Sequence, residues 1–295
     1  MWVESKPNER KFITYTGQLP TNLYRYRSLS PDTFERTVEF ELIEEAVYLA
    51  ALKDLNDPDE GRFIVQFSGT DEDILNYWRQ AVSTTENITD PVYLEAKSKK
   101  LLEEVKRASY MAPDHVIQYM RYVQSHILRV ASFTTNPVNY SMWANYAKFV
   151  DDNGHSIDHG GICIEYHCDE GWRSETLHPV NYSDVIPVLN PVDRDEGKLV
   201  ATLYAKAMEW HTEAEWRIAY VLQAMPPFGK NFDVNAKIKF EGAVTGIIFG
   251  INTPQTAVTE IIRRVSSARP GLSYRRVVVN PVTYVRKLID IENIV

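Results

Sequence analysis

Long apolar runs are missing from this 295-residue chain, and none approaches the ~20 residues that cross a bilayer. Its first residues, Met-Trp-Val-Glu-Ser-Lys, lack the apolar stretch of a secretory leader. Cysteine is scarce: Cys163 and Cys168 are the only two, too few to staple a chain of this length. The expectation is a soluble, cytoplasmic protein with reduced thiols and no membrane contact. No Gly-rich phosphate loop and no G-x-S-x-G elbow occurs, which removes the commonest nucleotide and serine-hydrolase signatures. A basic surplus is absent too, with 32 Lys+Arg against 40 Asp+Glu and a net charge of −8. That balance disfavours coating nucleic acid by bulk charge and leaves only a local basic groove open. What the chain has in abundance is aromatic, 17 Tyr and 6 Trp, rings that join apolar area to a hydrogen-bonding tip.

Past a polar lead, residues 23–27 alternate Leu-Tyr-Arg-Tyr-Arg and predict a short strand, Tyr24 and Tyr26 on one side and Arg25 on the other. Ser30-Pro31-Asp32 predicts a helix running to about residue 46. Residues 47–50 then form a brief strand, closed by a turn over 56–61. Three helices are expected over 70–128. Thr70 caps the first, with Ile74, Leu75, Trp78, Ala81 and Val82 as its stripe; Asp90-Pro91 opens the second and Asp114 caps the third. Strands are expected over 129–134, 160–167, 178–182, 213–222, 244–250, 273–279 and 283–288. Helices are expected over 140–148, 195–208 and 254–265, the last capped by Thr253. Strands that do not alternate regularly with helices predict an α+β fold. A single domain over 1–295 follows, with a helical insertion around residues 70–128.

The densest polar cluster spans residues 206–217. If the chain is extended from Glu213, period two puts Glu213, Glu215 and Arg217 on one face and Trp216, Ile218, Tyr220 and Leu222 towards the core. Adjacent carboxylates suit general base work, metal binding or a positively charged transition state. An edge strand whose acids pair with Arg217 would read the same way. Arg25 and Arg27, set among Tyr24 and Tyr26, suit a phosphate held in a guanidinium fork beneath a ring, or arginines snorkelling from a half-exposed strand. Ser132 and Thr134 share a strand face, where they would bond a sugar or only local backbone. Trp143 and Tyr146 form a stacking platform or a core stripe. No metal site is expected between His155 and Cys168: only His155 and His159 have ligand-like spacing, and Cys163 and Cys168 point apart. Asp57 and Glu60 need no role in their turn, yet with Glu213, Glu215 and Lys206 they make a Mg²⁺-dependent nuclease or phosphohydrolase an alternative.

Residues 23–27, 55–60, 132–134, 142–147, 159–166, Lys206 and 210–217 together resemble an uncharacterised bacterial family, domain of unknown function 2971. More distantly, the order of an aromatic-flanked arginine, Ser132-x-Thr134 and Glu213-x-Glu215 resembles the Arg, Ser-Thr-Ser and Glu-x-Glu pattern of mono-ADP-ribosyltransferases. That resemblance implies a split, twisted mixed β-sheet core and NAD as a substrate rather than a bound cofactor. Arg25 or Arg27 would then lie near the phosphates, with Ser132 and Thr134 on the nicotinamide ribose. Glu215 would steady the oxocarbenium, Glu213 would orient the acceptor, and Tyr146 would cover the nicotinamide. The implied activity is ADP-ribosyl transfer to a macromolecular acceptor or NAD hydrolysis, as in a toxin or phage-defence effector. A non-catalytic sensor that binds through the aromatic cleft is the remaining alternative.

Overall fold

The computed structural model describes residues 2–4, 17–169, 172, 177–193, 196–221 and 235–291. Eight strands form one mixed, twisted sheet: β1 (Asn22–Arg27), β2 (Leu128–Thr134), β3 (Ile162–His167), β4 (Leu177–Pro179), β5 (Glu215–Val221), β6 (Val244–Phe249), β7 (Ser273–Val279) and β8 (Arg286–Asp290). Their order is β8-β7-β6-β3-β1-β2-β5-β4, antiparallel except for the β6–β7 pair. The α+β expectation and the mixed sheet are both met.

Alternation sorts the side chains. Leu23, Phe133, Ile164, Tyr166 and Ile218 face the main core, covered by Val258, Ile261 and Val265 of a late helix. Tyr26, Cys163 and Ile248 face the other side and pack on Trp143. The expected helices of the 70–128 block are Asp71–Glu86, Pro91–Arg107 and Asp114–Ile127, and their stripes close a separate core around Trp78, Leu102 and Val116. No described helix is long and apolar enough to cross a membrane.

β1 and β2 share one registered pair, Tyr24 with Thr134, and then part. The end of the strand Ala46–Leu49 enters the gap, where Ala50 and Val130 exchange both backbone hydrogen bonds at 2.8 Å. This wedge positions the cleft described below.

Several sequence expectations need correction. The helix from Ser30 lasts five residues and widens into a π-helix, Arg36–Ile43, where the Glu44 N–H reaches back to the Glu39 carbonyl. Asp114 lies inside its helix, which it favours through the dipole, while Pro113 occupies the cap. Pro254 likewise precedes the helix Gln255–Ala268, and Thr253 donates instead to the Gly161 carbonyl. Residues 196–213 break into a short helix, a 3₁₀ turn, the two-residue strand Ala205–Lys206 and a second 3₁₀ turn, Met208–Glu213. Glu213 therefore lies outside the strand, which begins at Glu215 after Ala214 adopts φ 46°. Asp195 and Leu222 lie outside the described residues.

Candidate functional site

The wedge between β1 and β2 opens as a cleft of about 390 Å³ whose walls include Arg25, Ser132, Tyr146, Lys206, Glu213 and Glu215. Register explains one wall. Arg217 lies opposite Ser132 and Glu215 opposite Thr134, so these four share one face of the β2–β5 pair. Glu213 reaches the same place by a different route from the period-two reading. The left-handed turn at Ala214 folds the 3₁₀ segment back, and the Thr134 hydroxyl fastens it by donating to the Glu213 carbonyl at 2.6 Å.

Arg217, only 1% exposed, is the hub. Its Nε and Nη2 donate to Glu215 at 2.7 and 2.9 Å, while Nη1 and Nη2 donate to Glu60 at 2.5 and 2.9 Å. Lys206 Nζ bridges the two glutamates, 2.6 Å from Glu213 and 3.2 Å from Glu215. The second oxygen of Glu213 accepts from the Tyr146 hydroxyl at 2.7 Å, which itself accepts from Asn56 at 3.0 Å. Asn139 caps the helix Tyr140–Tyr146 and also donates to the Thr212 carbonyl, which ties Tyr146 to the glutamate segment. Gly161 sharpens that approach, since a Cβ there would strike the Arg27 carbonyl and the Ala147 backbone.

Burial alone would lift the Glu215 carboxyl, but Arg217, Lys206 and a hydrogen bond from Ser132 outweigh it and hold the group down at about 2. The same two glutamates keep the Lys206 ammonium above its ordinary value despite burial. A depressed carboxyl contributes stability above its unfolded value of 4.5 and loses it as pH falls towards about 2. The free energy of unfolding measured with urea is therefore expected to fall more steeply between about pH 5 and about pH 2 for the wild type than for Glu215→Gln. Parallel curves would mean that Glu215 is not held by these cations.

The other end of the cleft is cationic. Arg27 is clamped by Glu41 through Nε at 2.5 Å and Nη2 at 3.0 Å. Arg25, 7% exposed, stands 3.4 Å from the same carboxylate, donates Nη2 to the Tyr48 carbonyl at 3.0 Å and leaves Nη1 without a partner. Burial, with Arg27 beside it, pulls Arg25 down to about 10 in spite of Glu41. Between the two arginines, Arg25 is thus the one with a buried donor that lacks a partner.

Other candidates are committed elsewhere. Thr134 is fully buried and spent on the Glu213 carbonyl and the Asn136 N–H. Trp143 is a core residue in edge contact with Tyr26 at 5.0 Å, so of the helix pair only Tyr146 meets the cleft. Tyr24 and Tyr26 border the cleft, but their hydroxyls donate to Glu165 at 3.0 Å and to the Asn136 carbonyl at 2.7 Å. Asp57 holds its own turn by accepting from the Asp59 N–H at 2.9 Å. Among the described residues, no group of three or more His, Cys, Asp or Glu is arranged to hold a metal ion. Arg36, Glu41 and Tyr182, whose hydroxyl accepts from the Glu215 N–H at 2.8 Å, were not singled out by sequence. A basic residue five positions before an acid on the segment after Arg27 was the one available signal for Arg36 and Glu41.

Comparison of the chain with models of known families, with characterised proteins and with solved structures finds no match.

Proposed function

We propose that this protein is a cytoplasmic NAD-consuming enzyme of the ADP-ribosyltransferase kind, related to domain of unknown function 2971, which passes ADP-ribose to a macromolecule or to water. The observation that carries this reading is a permanent anion at one end of the cleft and a cluster of arginines at the other. Glu215 stays ionised down to about pH 2, so it is ill suited to shuttling protons at neutral pH and well suited to steadying a cation. Around it three carboxylates, Glu60, Glu213 and Glu215, meet two cations, Lys206 and Arg217, and one negative charge is in excess. At the other end Arg25, Arg27 and Arg36 outnumber Glu41, and remain in excess when Asp54, which also lines the cleft, is counted.

A dinucleotide with its nicotinamide riboside at the glutamates and its diphosphate at the arginine end of the cleft matches both signs. The bond from ribose C1′ to the nicotinamide nitrogen then breaks, and its electron pair leaves with neutral nicotinamide. The oxocarbenium beside Glu215 is captured by an acceptor oxygen or nitrogen, whose proton passes to solvent. Ser132 meets a ribose hydroxyl, and Tyr146 supplies a ring along the wall. A metal-dependent hydrolase fits less well, because a divalent ion would have to displace Arg217 and Lys206 from the same carboxylates.

Pure protein incubated with NAD⁺ is expected to release nicotinamide, and EDTA to leave that release unchanged. No release with any acceptor would overturn the reading in favour of a binding module. EDTA-sensitive cleavage of DNA or RNA would overturn it in favour of the metal-dependent hydrolase.

A further inference from the structure

The π-helix Arg36–Ile43 has a consequence beyond the cleft. Its wide turns bring Arg36, Thr37, Phe40 and Glu41 to one side, where they and the strands Ala46–Leu49 and Asn235–Lys239 enclose a smaller recess. π-helical turns are rare and gather at functional sites. The recess shares Arg27, Arg36 and Tyr48 with the main cleft, so the two adjoin at the cationic end. Lys237, the register partner of Tyr48, also lines it.

The charges in the recess are unequal. Glu41 is the one acid lining it, and that carboxylate is already bonded by Arg27, flanked by Arg25 at 3.4 Å and hydrogen-bonded by the Tyr166 hydroxyl at 3.0 Å. Arg36 lies over the Tyr48 ring at 5.7 Å and has no carboxylate partner among the described residues. Lys237 is 3.2 Å from Glu44 and 5.4 Å from the Phe40 ring centre, a half-screened contact that an incoming dianion can compete with. Arg36 and Lys237 thus present a planar fork and a point charge to one small space, a donor set suited to phosphate.

We infer that this recess takes a phosphate monoester on the adenosine side of the dinucleotide, so that the enzyme prefers NADP⁺ to NAD⁺. This rests on the proposed function. The order along the cleft fits it: glutamates for the nicotinamide ribose, Arg25 for the diphosphate, then the recess where the adenosine ribose follows. Arg36 and Lys237 hold the monoester while Arg25 remains with the diphosphate.

Calorimetric titration with ADP-ribose and with ADP-ribose 2′-phosphate, products that do not turn over, tests the assignment. The 2′-phosphate is expected to bind about tenfold more tightly, as two charge-assisted contacts allow. In Lys237→Ala the preference is expected to shrink below about threefold, while ADP-ribose affinity stays unchanged and Lys237→Arg keeps the preference. Arg36→Ala, at an exposed position, is expected to lose the preference too, and thermal melts verify that each variant is folded. Equal affinities in the wild type would overturn the recess and leave the proposed function standing. A preference that survives both alanine variants would also overturn it. Failure of both ligands to bind would overturn the proposed function and this inference with it.

Discussion

Replacing Arg217 by methionine is expected to lower the free energy of unfolding by about 3–5 kcal/mol at neutral pH. Among the described residues the side chain is the one cationic partner of Glu60, and it is the bidentate partner of Glu215 and also donates to the Leu203 carbonyl at 2.5 Å. Both carboxylates are nearly inaccessible, 3% and 5% exposed, so water cannot take over the lost bonds. Methionine fills much of the volume, which leaves buried unpaired charge rather than a cavity as the source of the loss. The pH dependence separates these two causes. Without Arg217, the Glu215 carboxyl loses the first of the influences that hold it down and takes up a proton more readily. The deficit of the variant should therefore narrow as the pH is lowered to about 5 and the Glu215 carboxyl takes up its proton. Urea unfolding at the two pH values measures it. A deficit below about 1 kcal/mol, equal at both, would mean that the pair is solvated and that Arg217 contributes little. Adding Glu60→Gln to Arg217→Met should recover part of the loss, because it removes one stranded charge.

The elements that alternate or repeat cleanly were legible in the sequence. Leu23 through Arg27 carry the period of a strand, and the structure keeps Arg25 opposite Tyr24 and Tyr26. The stripe of Ile74, Leu75, Trp78 and Val82 buries as a helix face must. What failed failed locally. Nothing in the alanine at 214 announces φ 46°, since a left-handed residue is usually glycine or asparagine, and tertiary bonds to Glu213 enforce it. Period two consequently reached the right neighbour for Glu213 by the wrong geometry. The π-helix was illegible because its apolar positions, Val38 and Leu42, satisfy an ordinary helical spacing equally well. Hydroxyl motifs carry a further ambiguity. Ser132 and Thr134 stand on one face, yet one meets the cleft and the other is consumed by backbone, a distinction set by the segment folded against them. Charge at the level of the whole chain was similarly coarse: a net −8 conceals a cleft that is negative at one end and positive at the other.

Glu215→Gln is expected to slow nicotinamide release by about 10²–10³-fold while dinucleotide affinity stays within about threefold of the wild type. Glutamine retains the shape of the side chain and one acceptor oxygen but not the charge proposed to steady the oxocarbenium. Arg217 keeps Glu60, and Lys206 keeps Glu213, so neither cation is stranded by the change. Arg25→Met should do the reverse. It removes a guanidinium proposed to meet the diphosphate, and Glu41 remains bonded by Arg27 and Tyr166, so the site stays assembled. Its dissociation constant for NAD⁺ is expected to rise about tenfold, with the rate at saturation changed far less. Steady-state kinetics on the two variants distinguish a charge that acts in the transition state from one that anchors the substrate throughout. A Glu215→Gln enzyme within about threefold of the wild-type rate would remove Glu215 from the chemistry. Loss of binding in that variant, with the rate at saturation intact, would instead make the acidic end an anchoring site, and the oxocarbenium would then need another carboxylate, for which Glu213 is the nearest to hand, sharing Lys206 with it.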